Sequence, residues 1–176
     1  GMTAPGYPVF MNFGKCMELA IYDGFDEFKS KAQIGPHTGK LSDFKTFDEF
    51  YNAFKQQVVY CSSIISKYSL IQRSIRDSLA SCGFTDALID GCIESGMTSS
   101  GSGAKYNMQY HCPIGMINVA DSLTAIKKCV FEDRTVSPDL LIDALKANFA
   151  GYENVHELLS AAPKYGNDDD YADNMA

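Results

Sequence analysis

Apolar and aromatic residues recur at Phe47, Tyr51, Phe54, Val58, Cys61, Ile65 and Tyr68, then again at Ile75 and Leu79. Steps of three and four mark one face of an α-helix. Thr46 and Glu49 stand at its head in the sequence Thr-Phe-Asp-Glu, the pattern of a capping box. A second stripe runs through Phe50, Ile64 and Ile71. The helix is predicted to continue to about Ser81, with Gly83 as its stop. Such a helix would be about 50 Å long at 1.5 Å per residue. A domain of this size does not cover that length, so the helix must either break near Ser62-Ser63 or pack against something larger.

The remaining pattern is also mostly helical. Val9 to Tyr22 reads as a helix apolar on more than one face, through Phe10, Phe13, Met17, Leu19 and Ile21, and Asp23-Gly24 ends it. Residues 33–45 read as a loop. A short helix is predicted from Asp86 to Ser95, with Thr85 as N-cap and Gly96 beyond its end. Residues 96–103 read as a flexible loop. Tyr106, Met108 and Tyr110 alternate with Asn107 and Gln109, which makes Lys105 to His111 the strand candidate. Asn118 opens a helix with Val119, Leu123, Ile126 and Val130 on one face. Ser137-Pro138 is an N-cap followed by proline at the first helical position, ahead of Leu141, Leu145 and Phe149, and that helix ends at Gly151. Asn154 with Glu157 is expected to cap a last short helix that stops before Pro163. The fold class is therefore mainly α with one or two short strands. Residues 1–176 are read as one domain, Gly1 before Met2 as a tag scar, and the acidic tail 167–176 as frayed.

Charge and cysteine usage narrow the function classes. The net charge of −7 opposes a phosphate-binding surface, so no nucleic-acid partner is expected. No apolar run reaches the roughly 20 residues of a membrane span, so no membrane partner is expected and the cytoplasm is the default compartment. Six cysteines, at 16, 61, 82, 92, 112 and 129, have irregular spacing without a C-x-x-C pair. That excludes a disulfide framework as the first reading. It also gives little support to a zinc site built from cysteine with His111 or His156.

Few segments carry candidate chemistry. Cys92 and Glu94 could act as a nucleophilic or radical thiol with an acid–base partner. Positions i and i+2 of one helix diverge, so a buried thiol with Glu94 in solvent is the plainer expectation. Gly101-Ser102-Gly103 could cradle a phosphate, but it lacks Walker spacing and a following helix. His111-Cys112-Pro113 ends the predicted strand and reads as structural. His37 and His156 have no visible partner. Asp168-Asp169-Asp170 reads as a solvated acidic turn rather than a cation site. No assembled active site follows from these residues alone.

A run of blocks carries a resemblance. Phe10-Met11-Asn12-Phe13-Gly14-Lys15 with Glu18-Leu19-Ala20, Ile34-Gly35-Pro36-His37-Thr38-Gly39, and Phe47-Asp48-Glu49-Phe50 come first. Leu88 to Gly96, Gly103-Ala104-Lys105-Tyr106-Asn107, Asn118-Val119-Ala120-Asp121-Ser122-Leu123 and Pro163-Lys164-Tyr165-Gly166-Asn167-Asp168-Asp169 follow in order. Together they resemble an internal part of the glycyl radical enzymes of the pyruvate formate-lyase-like family. The similarity is to the branch of glycerol and diol dehydratases, choline trimethylamine-lyase and arylacetate decarboxylases.

The resemblance implies a piece of a ten-stranded α/β barrel from a longer radical lyase or dehydratase. In that family a backbone glycyl radical, installed by a radical S-adenosylmethionine activase, draws a hydrogen atom from a loop cysteine. A glutamate two residues after that cysteine aids proton transfer. The Gly-Cys-x-Glu-Pro loop is expected to precede Phe10 and the Arg-Val-x-Gly-Tyr loop to lie beyond Ala176. This chain is then expected to bind no cofactor and to be inactive alone. Cys92-Ile93-Glu94 matches a different family block and is followed by Ser95 rather than proline, so no catalytic role transfers to it. Gly101-Ser102-Gly103 departs from the family's Gly-Gly-Ala. Phe10, Tyr106 and Asn107 are the residues implied to line a substrate cavity. Cut from a barrel, the chain would expose apolar helix faces, which implies self-association, as a dimer. Two other readings stand beside this one. One is an interaction module that binds a full-length relative; the other is an independent enzyme using Cys92 and Glu94, which requires a thiol of depressed pKa.

Overall fold

The structure is a computed structural model that describes residues 9–79, 82–108 and 110–175. Gly1, the expected helix end at Ser81, the strand residue Gln109 and the last residue Ala176 lie outside the described residues. The chain divides into two compact units, one of Asn12–Cys61 with Pro113–Ala176, the other of Gly1–Met11 with Ser62–Cys112. Most of the described chain is helical. Its two strands, β1 (Val9–Asn12) and β2 (His111–Ile114), form one parallel pair. Among the described residues no helix is long and apolar enough to cross a membrane.

The predicted first helix starts four residues late. Val9–Asn12 is β1, and helix α1 is Phe13–Ile21. Two forces divide the segment. The Val9 amide finds a partner in the Tyr110 carbonyl at 2.9 Å. The Asn12 side chain, on extended backbone, accepts the Lys15 amide at 3.1 Å and so caps the helix. Left-handed backbone at Asp23 and Gly24 follows the end of α1.

Helix α2 runs without a break from Phe47 to Leu79, past Ser62-Ser63. Thr46 and Glu49 form the expected capping box, each side chain accepting the other's amide at 3.3 Å. Up to Cys61 the helix belongs to the larger unit, where it buries Phe50, Ala53, Phe54 and Gln57. Phe50 is 0% exposed, between Phe44 and Phe131 at ring-centroid distances of 6.0 and 6.3 Å. Leu41, on a 3-10 turn in the loop read from residues 33–45, joins the same core.

The rest of the larger unit follows the pattern closely. Two more helices, α3 (Gly83–Asp86) and α4 (Cys92–Ser95), lie in the smaller unit and are described below. Helix α5 is Met116–Ile126, and a π-helical stretch continues it over Lys127–Glu132. Val119, Leu123, Ile126 and Val130 are all buried, as predicted. Its start lies two residues before Asn118, because left-handed Gly115 turns the chain there. Ser137 caps α6 (Pro138–Lys146) by accepting the Leu140 amide at 3.2 Å. Helix α7 is Glu153–Ser160; Glu153, not Asn154 with Glu157, satisfies the chain at its head by accepting the Gly151 amide at 3.0 Å. In the acidic tail, α8 (Asp170–Asp173) buries Ala172, and Tyr171 donates to Glu132 at 2.7 Å.

The smaller unit departs further from the pattern. In place of one helix from Asp86 to Ser95 there are the two single turns α3 and α4. Thr85 lies inside α3 rather than capping a helix. Gly91, at φ 94°, separates the turns; a Cβ there would meet the Gly103 carbonyl oxygen at 2.7 Å and the Lys105 nitrogen at 2.8 Å. The strand also shifts. Lys105 to Met108 has no regular structure, and β2 begins at His111, where the strand prediction ended. Alternation alone selected Tyr106 to Tyr110, but a strand forms where a partner backbone accepts it, and β1 pairs from Tyr110 onward.

Candidate functional site

Three residues were expected to line a cavity. Phe10 lies on β1 and is 63% exposed, and Tyr106 is 60% exposed ahead of β2. Asn107 is half-buried and donates to the Ser99 carbonyl at 2.8 Å. The β1–β2 pairing brings Phe10 beside the Tyr110 end of β2. Both strands leave apolar side chains in solvent, Phe10 and Ile114 among them. Parallel strands are ordinarily covered on both faces, so these are strands of a larger sheet.

The loop of residues 96–103 is fastened from three sides. Arg73 donates to the Ser100 carbonyl at 2.8 Å and the Ser102 hydroxyl at 3.1 Å. Thr98 donates to Asp77 and accepts the Gly101 amide at 2.8 Å. Asp86 accepts the Ser99 amide and hydroxyl at 3.0 and 2.6 Å. The Gly103 amide is donated to the Thr98 carbonyl at 2.8 Å. The amides at Ser99, Gly101 and Gly103 are thus taken up by Asp86 and Thr98 and do not converge on an anion. Loop geometry that the sequence left as flexible is set by Arg73 and Asp77 of α2 and by Asp86.

Cys92 is 4% exposed in a small cluster with Ile89 and Ala104. Burial first, then the Asp86 and Glu94 carboxylates, push its thiol up. Glu94 turns back to accept the Gly91 amide at 3.1 Å. This is the opposite of an activated nucleophile.

The larger unit gathers more polar structure. His37 has a partner that sequence reasoning missed: its Nδ1 lies 2.8 Å from Asp23, whose other oxygen accepts the Thr38 and Gly39 amides at 2.7 Å each. Fourteen residues separate the pair, and the left-handed turn at Asp23-Gly24 with the antiparallel bridge between Tyr22 and Lys40 brings them together. The His156 ring packs against Phe149 in a tilted arrangement, with ring centroids 5.0 Å apart. Cys16 and Cys61 share a side-chain hydrogen bond; that bond first, then burial, pushes the Cys16 thiol up, while the same bond, against burial, holds Cys61 below the usual thiol range. Among the described residues no three His, Cys, Asp or Glu side chains converge to hold a metal. A cavity of about 410 Å³ opens beside α1, walled by Met17, Ile21, Tyr22, Leu141, Leu145 and Phe149. The Tyr22 hydroxyl is buried without a hydrogen-bond partner among the described residues, and burial with the Glu27, Glu18 and Asp143 carboxylates pushes it up to about 12.

Asp26 is a heavily bonded carboxylate. It accepts from the Ser30 hydroxyl at 2.6 Å, Lys15 at 2.9 Å, and the Ser30 and Lys29 amides at 2.9 and 3.2 Å. These bonds, Ser30 first, hold its carboxyl well below the ordinary value of 3.8. A depressed folded pKa stabilises above the unfolded value, and the contribution fades as pH falls through the folded one. Asp26→Asn is therefore expected to lower the urea midpoint at neutral pH. The gap to wild type should narrow progressively below pH 3.8. A gap that stays constant into strong acid contradicts this role.

The family model described as pyruvate formate lyase-like matches residues 1–176. The chain belongs to the pyruvate formate lyase-like family. It is 40% identical over 167 residues to trans-4-hydroxy-L-proline dehydratase of Clostridioides difficile, covering 94% of this chain and 21% of that protein. It is 41% identical over 170 residues to isethionate sulfite-lyase of Bilophila wadsworthia, covering 94% and 20%. The crystal structure of the C. difficile hydroxyproline dehydratase matches with a TM-score of 0.90 at 39% identity, over 97% of this chain and 22% of that one. The glycerol-bound B12-independent glycerol dehydratase of Clostridium butyricum matches with a TM-score of 0.88 at 34% identity, over 97% and 22%. The chain spans about a fifth of the length of these relatives. Its fold is a piece of the barrel of the glycyl radical enzymes.

Proposed function

We propose that this chain is a barrel segment of a glycyl radical dehydratase or lyase, supplying scaffold and cavity wall rather than the radical-bearing residues. The observation that carries the reading is the match of the whole chain to the family while it spans about a fifth of its relatives. Those relatives are named for trans-4-hydroxy-L-proline, isethionate and glycerol, all small and hydroxylated. The substrate class proposed is accordingly a small hydroxylated molecule from which water or another leaving group is eliminated. In the completed barrel, Phe10 and Tyr106 give the cavity an apolar wall. Asn107, held by Ser99, presents a fixed amide beside it. Buried Cys92 and exposed Glu94, which is engaged by the Gly91 amide, take no part in the reaction. The glycyl radical and the thiol it oxidises reside on other parts of the polypeptide, and the segment alone is inert.

The test is anaerobic incubation with a radical S-adenosylmethionine activase, read by electron paramagnetic resonance and by turnover of glycerol, trans-4-hydroxy-L-proline and isethionate. The 176-residue chain is expected to give neither a protein radical nor product. The reading frame extended through its flanks is expected to encode the Gly-Cys-x-Glu and Arg-Val-x-Gly-Tyr loops and to give the radical. A radical or turnover on the short chain overturns the proposal. Stop codons on both sides would instead favour an interaction module that assists a full-length relative.

A further inference from the structure

A side-chain amide has a donating end and an accepting end, and Asn107 has committed one of them. Its Nδ2 donates to the Ser99 carbonyl at 2.8 Å. The reverse orientation would set two carbonyl oxygens against each other, so the partner decides which end is which. Oδ1 is left without a partner among the described residues, and Asn107 is half-buried rather than enclosed. The partner is itself held. Buried Asp86 accepts the Ser99 amide and hydroxyl on one oxygen, at 3.0 and 2.6 Å. Arg73 holds the next carbonyl, that of Ser100, at 2.8 Å. Two residues before Asn107, the Lys105 amide donates to the Asp90 carbonyl at 2.7 Å. All of these residues belong to the smaller unit. The amide cannot turn over without losing Ser99, and Ser99 cannot follow it while Asp86 and Arg73 hold the loop.

We infer that Asn107 is a specificity-determining residue that offers the substrate an acceptor only. Its Oδ1 receives a hydrogen bond from a substrate hydroxyl. Asp86, acting through Ser99, is the positioning residue that keeps Oδ1 on the open side. The inference rests on the barrel-segment reading, in which Asn107 stands beside the cavity, and the hydroxylated substrate class proposed there supplies the donor. A hydroxyl can meet an amide oxygen; a ketone or ether oxygen, which has no proton to give, cannot. An untethered asparagine could turn either end outward and would accept both kinds of group. The tether to Ser99 removes that freedom and makes the residue selective.

The test uses the full-length polypeptide of the extended reading frame, activated anaerobically. The radical is counted by electron paramagnetic resonance, and glycerol, trans-4-hydroxy-L-proline and isethionate are the probes of turnover. Asn107→Leu keeps the size of the side chain and removes both ends of the amide. It is expected to form as much radical as wild type and to raise KM about 10-fold with kcat little changed, the signature of a hydrogen bond made equally in ground and transition states. Asp86→Ala should raise KM by a similar factor. Asp86→Asn, which keeps an accepting oxygen for Ser99, should restore it. In the 176-residue chain, Asp86→Ala should shift the nuclear magnetic resonance signal of Asn107 Nδ2, and Asp86→Asn should not. An unchanged KM in Asn107→Leu overturns the inference. So does a folded Asn107→Leu protein that forms no radical, because Oδ1 then serves another segment of the polypeptide. If Asp86→Asn behaves as Asp86→Ala does, the positioning role is lost. A wild type that carries the radical but turns over none of the probes overturns the substrate class and the inference with it. A wild type without the radical, or a frame bounded by stop codons, is the separate failure of the barrel-segment reading, and the inference falls with that too.

Discussion

Phe50→Ala is expected to destabilise the larger unit by about 3–5 kcal/mol, the range for deleting a fully buried aromatic ring. Phe50 is the largest fully buried side chain among the described residues. Its ring lies 6.0 Å from Phe44 and 6.3 Å from Phe131. Those neighbours come from the loop before α2 and from the π-helical stretch after α5. One ring thus joins segments some eighty positions apart in sequence, and alanine would leave a void that none of them can close alone. A domain's whole stability is about 5–15 kcal/mol, so the loss takes a large share of it. Amide hydrogen exchange is the suitable measurement, because a chain of two compact units need not unfold in one step. Protection should fall throughout Asn12–Cys61 and Pro113–Ala176. Phe47→Ala provides the comparison: its half-buried ring stacks on Tyr51 at 5.8 Å and should cost clearly less. Equal losses would mean that the N-terminal turn of α2, rather than the ring at its centre, holds the unit together.

What the sequence reveals here is what local chemistry decides. The capping box at Thr46 and Glu49, the Ser137-Pro138 helix start and the buried stripe of α5 all follow from residues within a few positions of one another. The errors arise where a distant backbone decides. Val9–Asn12 becomes a strand because Tyr110 receives it, and the predicted helix across Gly91 is split by the close approach of Gly103 and Lys105. Gln57 is 0% exposed and donates to the Pro36 carbonyl and the Thr38 hydroxyl at 2.8 and 2.9 Å. Only its place on the buried face, three positions after Phe54, could have drawn notice. The long stripe of α2 was legible, but its division was not. The same periodicity that buries Phe54 leaves Tyr68, Ile75 and Leu79 in solvent, because period alone does not say what lies opposite. Of the proposed cavity wall, Phe10, Tyr106 and Asn107 came from family resemblance, since as residue types they are ordinary strand positions.

Gly24→Ala is expected to cost about 3–5 kcal/mol, for two reasons that can be separated. The first is conformational. Gly24 has φ 78°, and a side chain in left-handed backbone costs about 1–2 kcal/mol. The second is space. A Cβ at Gly24 would lie 2.3 Å from the Pro36 carbonyl oxygen and 2.7 Å from that of Gly35. Both oxygens are backbone, so no side-chain rotation relieves the clash. The Gly24 carbonyl accepts the Ile34 and Gly35 amides at 3.1 and 2.8 Å, and Gln57 grips the loop from the other side. Moving residues 34–36 away from a new methyl group therefore means breaking those bonds. Gly151→Ala isolates the first cost, since Gly151 has φ 79° and nothing within 4 Å of its Cβ position. It should lose about 1 kcal/mol. The difference between the two urea-unfolding free energies then measures how firmly Asp23, Gly24 and Gln57 hold the Ile34–Gly39 block. If both variants lose the same amount, the loop yields, and its close packing on Gly24 contributes little to the fold.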